Sequence, residues 1–251
     1  ESYWLSDPLR KLALANKHTL FIEGGDDAMR YGVTVYGGGN QGVMKGSNRD
    51  NFGGNIKLLY RKGNLSFTNS LSIDYTLAQK ESVTFDKFAK MNPYFRKFDE
   101  NGDVLRFCYT ERYGNKSNPL YDFYNNNFNN EYTTRITNNF EIDWKIQSEL
   151  RLRARIGLSK GNSSNEVFKS PNNGEYYGLD NSLKGLYTES NSKNFSYDGD
   201  IALTYGKLLK EKHMINVVSG VKFDQKDANS SSFAVQGFVD DVFTNPTYAV
   251  Q

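Results

Sequence analysis

At 251 residues and a formal net charge of +2, the chain is long enough for one large domain and too nearly neutral to be held on nucleic acid by a broad basic patch. Cys108 is the single cysteine, which excludes an intrachain disulfide and a two-cysteine zinc site. No stretch approaches the roughly 20 apolar residues of a transmembrane helix, but a transmembrane strand needs only about 9–11 residues with alternate ones apolar. Low mean hydropathy is therefore compatible with a membrane barrel. Aromatic residues make up 14% of the chain, Asn is plentiful and Pro scarce, a composition of strands joined by polar turns. The opening ESYWLSDPLRK carries acids and lacks the apolar run of a signal peptide, the mark of an intracellular protein or of a mature or truncated piece.

In chain order, HTLFIEG (18–24), MRYGVTVYG (29–37) and GNIKLLYRK (54–62) read as strands. LSFTNSLSIDYTL (65–77) alternates strictly, with Leu65, Phe67, Leu71, Ile73, Tyr75 and Leu77 on one face and Ser, Thr and Asp on the other. RITNNFEIDWKI (135–146) sets Ile136, Phe140, Ile142, Trp144 and Ile146 against Arg135, Thr137, Asn139, Glu141, Asp143 and Lys145. ELRLRARIGL (149–158) has a cationic face of Arg151, Arg153 and Arg155 and an apolar face of Leu150, Leu152, Ala154, Ile156 and Leu158, a separation that a helix would scramble. Segments 194–205 and 213–223 complete eight strands, and a ninth is expected from about Ser232.

The connections alternate in length. GDDA, RKGN, KIQSE and GKLLKEK are short; the Gly-rich stretch from 37, residues 80–131, residues 162–193 and a polar link opening at 226–231 are longer. Such asymmetry belongs to outer-membrane barrels, with tight periplasmic turns and long extracellular loops, whereas a soluble sandwich has no reason to keep it. Tyr60, Trp144 and Tyr205 lie on apolar faces close to short turns, as an interfacial aromatic girdle requires. The arginines of 149–158 then face a wet lumen together with Arg135, Glu141 and Asp143.

Motifs of chemistry are weak. GGGNQG (37–42) satisfies a dinucleotide fingerprint in form, but no helix follows to meet a pyrophosphate, so the glycines are expected in a flexible loop leaving a strand. DENGD (99–103) departs from a calcium loop in its Gly position and lacks the closing Glu, so it reads as a turn. His18 and His213 each stand singly at a strand start, and no nucleophile elbow or His-anchored triad is visible; neither enzymatic activity, a cofactor nor a metal is expected. Residues 80–131, dense in Tyr, Phe, Asn and Arg, are the segment best suited to touching a ligand, through Asn92, Tyr94, Phe95, Arg96, Asp99, Tyr109, Arg112 and Tyr113. The competing reading is that these aromatics pack the loop into a compact cap.

HTLFIEGGDDAMRYGVTVYG, GVMKGSNRDNFGGNIKLLY, the 65–77 strand and above all FAKMNPYFRKFDENGDV resemble the SusC/RagA family of TonB-linked outer-membrane transporters. Asn92, Pro93, Tyr94, Asp99 and Gly102 match an Asn-Pro-Tyr segment with a downstream Asp-x-x-Gly placed by that family in a long external loop. The resemblance implies part of a roughly 22-stranded barrel around an N-terminal plug. It also implies coupling to a TonB complex through a region outside this chain, a SusD-like surface lipoprotein as lid, and glycan or peptide cargo.

The expected architecture is all-β: an antiparallel up-and-down transmembrane β-barrel segment, a partial barrel of about eight or nine strands with long extracellular loops. Residues 1–17 would lead in from a missing plug and 18–251 form the partial barrel, in contact with outer-membrane lipid. A self-contained porin or adhesin-like barrel and a soluble carbohydrate-binding β-sandwich are the alternatives.

Overall fold

The computed structural model describes residues 2–111, 114–210 and 212–250. The strands are β1 (Ala15–Gly25), β2 (Met29–Gln41), β3 (Asn48–Lys62), β4 (Leu65–Gln79), β5 (Phe107–Glu111), β6 (Gly114–Ser117), β7 (Phe128–Lys145), β8 (Leu150–Lys169), β9 (Leu186–Leu209) and β10 (His213–Gln236). Two short helices, α1 (Phe85–Ala89) and α2 (Pro119–Tyr124), flank the β5–β6 hairpin. Eight strands form one sheet in the order β1-β2-β3-β4-β7-β8-β9-β10, each antiparallel to its chain neighbour. β1 and β10 are not paired with each other, so the sheet is open. A single open layer is neither a two-sheet sandwich nor a small closed barrel. Among the described residues no helix is long and apolar enough to cross a membrane, which says nothing about crossing by strands.

The one-to-one register keeps side chains in two unmixed faces. On one face Ile56 pairs with Val33 and Leu71, Ile73 with Ile136, Ile142 with Ala154, and Ile156 lies between Phe140 and Gly199. This face is apolar yet open to its surroundings: Ile56, Ile73, Ile136, Ile156 and Ile201 are all exposed. Near the tight turns it carries Tyr60, Phe67 and Phe140 in a row with ring centroids 6.4 and 6.0 Å apart, flanked by exposed Trp144 and Tyr205. The other face is polar and cross-linked by side chains, as where Asn55 Nδ2 donates to Ser70 and Ser72 and the Tyr36 hydroxyl to Asp74.

One end of the sheet has only tight turns. Asp26 Oδ1 accepts from the Ala28 and Met29 amides at 2.8 and 2.7 Å, which closes the β1–β2 turn and holds this carboxyl below its usual pKa. Gly63, at φ +58°, supplies the left-handed residue of the turn between Lys62 and Leu65. The other end gathers residues 42–47, 80–127, 170–185 and 237–250. The segment 1–17 contributes its last three residues to β1, and Trp4 packs into the loops at this end with Val83, Phe88, Met91 and Leu120.

Several boundaries differ from the sequence reading. β10 runs unbroken through Ser232, so 226–231 is strand and no ninth strand begins there. The expected loop 162–193 narrows to 170–185, because β8 continues to Lys169 and β9 starts at Leu186. β7 begins at Phe128, seven residues before Arg135. Most of the added length is Ser, Asn, Thr and Glu without alternation to read, and the far ends carry Phe128, Phe168 and Tyr187, which pack together beside the loops. Gly37, Gly38 and Gly39 lie inside β2, not in a flexible loop: a Cβ there would stand 3.2 Å from the Phe52 ring, 2.3 Å from the Asn16 carbonyl and 2.6 Å from Asp50 Oδ1, respectively.

The loop cap is held by buried amides. Asn118, fully buried, donates through Nδ2 to the Lys97 and Leu105 carbonyls at 3.0 and 2.7 Å and accepts from the Leu120 amide as N-cap of α2. Replacing it with Ala strands these groups without partners, at about 1–3 kcal/mol each. Asn118→Ala is therefore expected to open 95–125 to protease in the membrane-inserted full-length protein while leaving its heat-resistant gel mobility unchanged.

Candidate functional site

Two surfaces carry the polar chemistry: the charged face of β7–β9 and the loop cap above it. Arg135, Glu141, Asp143, Arg151, Arg153 and Arg155 all fall on the polar face, because each occupies the odd phase of a strand whose even positions are apolar. Asp143 is the hub at the tight-turn end: Arg151 Nε donates to Oδ1 at 2.7 Å and its Nη2 also bonds Oδ2, while Arg153 Nη2 stands 3.9 Å from Oδ2. One strand over, Arg155 forks between Asp200 and Asp198 at 3.0 and 3.1 Å. Asp198 and Asp200 were not among the sequence candidates; β9 alternates less strictly than β8, and only the register places them opposite Gly157 and Arg155. Arg135 faces Asp74 and Gly161 across the ladders and makes no ion pair among the described residues, since Asp74 takes the Tyr36 hydroxyl. Glu141 sits opposite Arg155 without an ion pair, as that guanidinium turns toward β9.

These pairs are partly solvated, so each adds little stability. Their chemical meaning is a wall of fixed, alternating charge. Opposite signs keep the net field small while presenting both guanidinium donors and carboxylate acceptors on one face.

The loop candidates divide by role. Asn92 caps a local turn, its Oδ1 accepting from the Tyr94 amide at 3.0 Å, and its carbonyl takes the Trp4 indole N–H at 3.2 Å. Phe95 packs on the Trp4 cluster and stacks on Tyr109 at 5.5 Å. Asp99 Oδ1 accepts from the Asn101 and Asp103 amides, closing DENGD as a turn with Gly102 at φ +91°. Tyr94 and Arg96 are exposed and available to a ligand. Arg112 and Tyr113 lie outside the described residues.

Sequence reasoning missed the polar knot that joins the loops. Asn127 Nδ2 donates to the Asp122 carbonyl at 2.6 Å and to Asn173 Oδ1 at 3.1 Å, and its Oδ1 accepts from the Ser170 amide at 2.7 Å. Ser170 Oγ reaches Asp241 at 3.1 Å, and Asp122 Oδ1 accepts from the Gly174 amide at 2.7 Å. Arg106 donates to the Asn173 carbonyl and lies 5.1 Å from the centroid of the Tyr177 ring. A run of asparagines carries no period that marks burial, so nothing in the sequence distinguishes Asn127 from its neighbours. Asp122 also borders a cavity of about 350 Å³ with Lys87, Lys116 and Glu175 on its walls.

Burial raises the Asp122 carboxyl above its ordinary pKa, against the pull of the Gly174 amide and Lys87. Burial likewise pushes the Cys108 thiol to about 12, which leaves it unreactive as a nucleophile. Because folded Asp122 holds its proton more tightly than the unfolded chain does, its contribution to stability is complete below the unfolded value and is lost as pH rises through the folded one. Protection of 118–127 against hydrogen exchange, corrected for intrinsic rates, should fall between acid and neutral pH. Asp122→Asn keeps an acceptor for Gly174 and should flatten that slope.

No family model matches the chain, and no curated protein matches it in sequence. Solved structures do match in fold. Against the RagAB peptide importer in its closed-closed state the TM-score is 0.78 at 17% identity, covering 100% of this chain and 28% of that chain. The open-open state of the same importer gives 0.76 at 16% identity over 99% of this chain and 28% of that one. The ferric-catecholate import receptor Fiu of E. coli K12 gives 0.51 at 11% identity, over 95% of this chain and 37% of that chain. The chain thus spans less than a third of the RagAB chain it matches, and its fold is that of a consecutive run of strands from such an importer barrel.

Proposed function

We propose that this chain forms part of the wall and external mouth of a TonB-dependent outer-membrane transporter. The observation that carries the reading is the sheet's division into one exposed apolar face and one charged face, with every long connection at a single end. An exposed apolar sheet of this extent is stable against hydrocarbon and untenable in water. In β8 the apolar positions run from Leu150 to Leu158, which matches the roughly 9–11 residues of a tilted membrane crossing. The apolar face then meets lipid and the arginines line a lumen. The tight turns face the periplasm and the loop cap faces outward. The role is passage of a solute, not catalysis.

Cargo would meet alternating fixed charges along β7–β9 and the exposed Tyr94 and Arg96 of the cap. Charges of both signs suit a peptide, with its own termini and charged side chains, better than a neutral glycan, which remains the second class. The RagAB neighbours are peptide importers by name and support the same choice. A SusD-like lipoprotein over the loop cap and a TonB complex acting through a plug outside this chain complete the working assembly.

Leu152→Arg or Ile156→Arg sets a charge against lipid, at about 2–4 kcal/mol near the midplane. Heat-modified gel mobility of the full-length protein should show loss of assembly for these variants, whereas Arg153→Leu on the charged face is tolerated. Equal tolerance at both sets of positions would sink the assignment of faces. Orientation has its own test. An epitope at Asn126 should be labelled on intact cells and one at Lys62 should not; the reverse pattern would invert the topology.

A further inference from the structure

The outward face changes character abruptly where β8 and β9 leave the apolar band. The continuous apolar band of the outward face ends at Leu158 in β8 and Phe195 in β9, and the next outward positions toward the loop cap are Lys160 and Lys193. Aromatic outward residues return only at Phe168 and Tyr187, which are buried against Phe238 where the loops begin. Lys160 pairs directly with Phe195 and, on its other side, with Ile136; Lys193 pairs with Asn162 and Asn229. The two lysines are therefore diagonal neighbours on adjacent strands, roughly 7–8 Å apart by sheet geometry, with the Phe195 ring beside both. Both are exposed and neither makes an ion pair or hydrogen bond among the described residues.

Arg135 on the polar face shares that isolation, whereas two arginines of β8 do not. On the opposite face Arg151 and Arg155 are paired with carboxylates. The nearest outward carboxylates keep their charge but make their hydrogen bonds elsewhere and stand directly opposite neither lysine: Asp227, opposite Phe195 on β10, accepts from Gln225 Nε2 at 3.2 and 3.3 Å, and Glu189 accepts from Asn191 Nδ2 at 2.7 Å and from the Tyr187 hydroxyl at 3.2 Å. Glu166 lies three outward positions beyond Lys160, above the band.

We propose that Lys160 and Lys193 form a docking site for the anionic phosphate headgroup of a lipid in the leaflet at the loop-cap end. The proposal rests on the reading of this face as lipid-facing. At that depth the aliphatic stems lie along Phe195, Ile136 and Leu158 while the ammonium groups rise to the headgroups, the ordinary arrangement for a lysine at a bilayer interface. A phosphate seated between the two amines sends its acyl chains down over Leu158, Ile156 and Ile201, which are exposed on the same face. Charge complementarity selects the ligand, since two unpaired cations flank an apolar floor with no free carboxylate directly opposite either of them.

The test uses the full-length protein in nanodiscs, with release of bound lipid followed by native mass spectrometry. Wild type should retain phosphatidylglycerol over phosphatidylcholine, K160Q and K193Q should each lose about fivefold of that preference, and the double variant about 25-fold. K57Q, on the polar face, should match wild type. Insertion without preference, or a preference unchanged in the double variant, overturns the lipid site alone. Failure of wild type to insert into bilayers overturns the membrane reading and the lipid site together.

Discussion

In the membrane barrel proposed above, the hydrogen-bond requirement of a backbone out of contact with water governs the structure. Each peptide N–H and C=O in hydrocarbon must find a partner within the protein, and only helices and closed sheets achieve that. Here the eight long strands satisfy one another in strict chain order without a break in register. In that barrel β1 and β10 are the edges at which further strands would pair, because an unpaired edge is intolerable in lipid and templates aggregation in water. The requirement also explains why the strands alternate so cleanly. A one-residue slip between β7 and β8 would turn Arg151, Arg153 and Arg155 into the apolar face and Leu152 and Ile156 into the charged one.

Given that ladder, the polar face and the loop cap solve different problems. The face needs solvated charges that do not collapse on one another or on cargo, and half-exposed pairs such as Arg155 with Asp198 and Asp200 provide them at little net energy. The cap needs rigidity without a large apolar core. Two small hydrophobic clusters, around Phe88 and around Phe168, leave most of the cap's cohesion to amides: buried Asn118 and Asn173 and half-buried Asn127 act as cross-linkers between segments distant in sequence. Such a knot is specific because each member is left unsatisfied if any other moves. A mouth built this way holds a fixed shape for a solute while keeping an exposed polar surface.

What was legible in the sequence follows from the same physics. Alternation at 65–77, 135–146 and 149–158 marked the two faces and the strand phase of the six charged residues, because an apolar surface on one side and a polar one on the other write a period of two. The loop roles of Asn92, Phe95 and Asp99 were half legible: turn chemistry marked DENGD, but the packing of Phe95 on the Trp4 cluster depends on a segment more than 80 residues away. The asparagine knot was illegible, since the amide side chains that cross-link the cap are the same residue types that populate its exposed turns. Asp198 and Asp200 were missed for a third reason. Glycine at 199 interrupts the apolar run of β9, and only the neighbouring strand shows which side its carboxylates take.

The errors at the strand ends carry the most information. Periodicity ended β9 near Asn194 and β10 near Phe223, yet both ladders continue, with Asn229 opposite Lys193 and Phe233 opposite Glu189. Alternation therefore marks where one face of a strand is apolar, the crossing in the proposed barrel, and not how far the strand is hydrogen-bonded. Beyond the apolar band of β8, from Lys160 to Glu166, the apolar constraint lapses and Ser, Asn, Lys and Glu stand outward as readily as inward, until Phe168, Tyr187 and Phe238 bury one another beside the loops. At about 3.3 Å per residue, the part of β8 from Ser159 to Lys169 adds more than 30 Å of strand past the apolar band. In the proposed barrel the wall thus continues as a hydrogen-bonded sheet past the apolar band, and the loops it carries begin well clear of the bilayer. A ladder at that height keeps the mouth's frame rigid where unpaired loops of the same length would fray, which leaves the cap's own knot to fix only the segments that close over it.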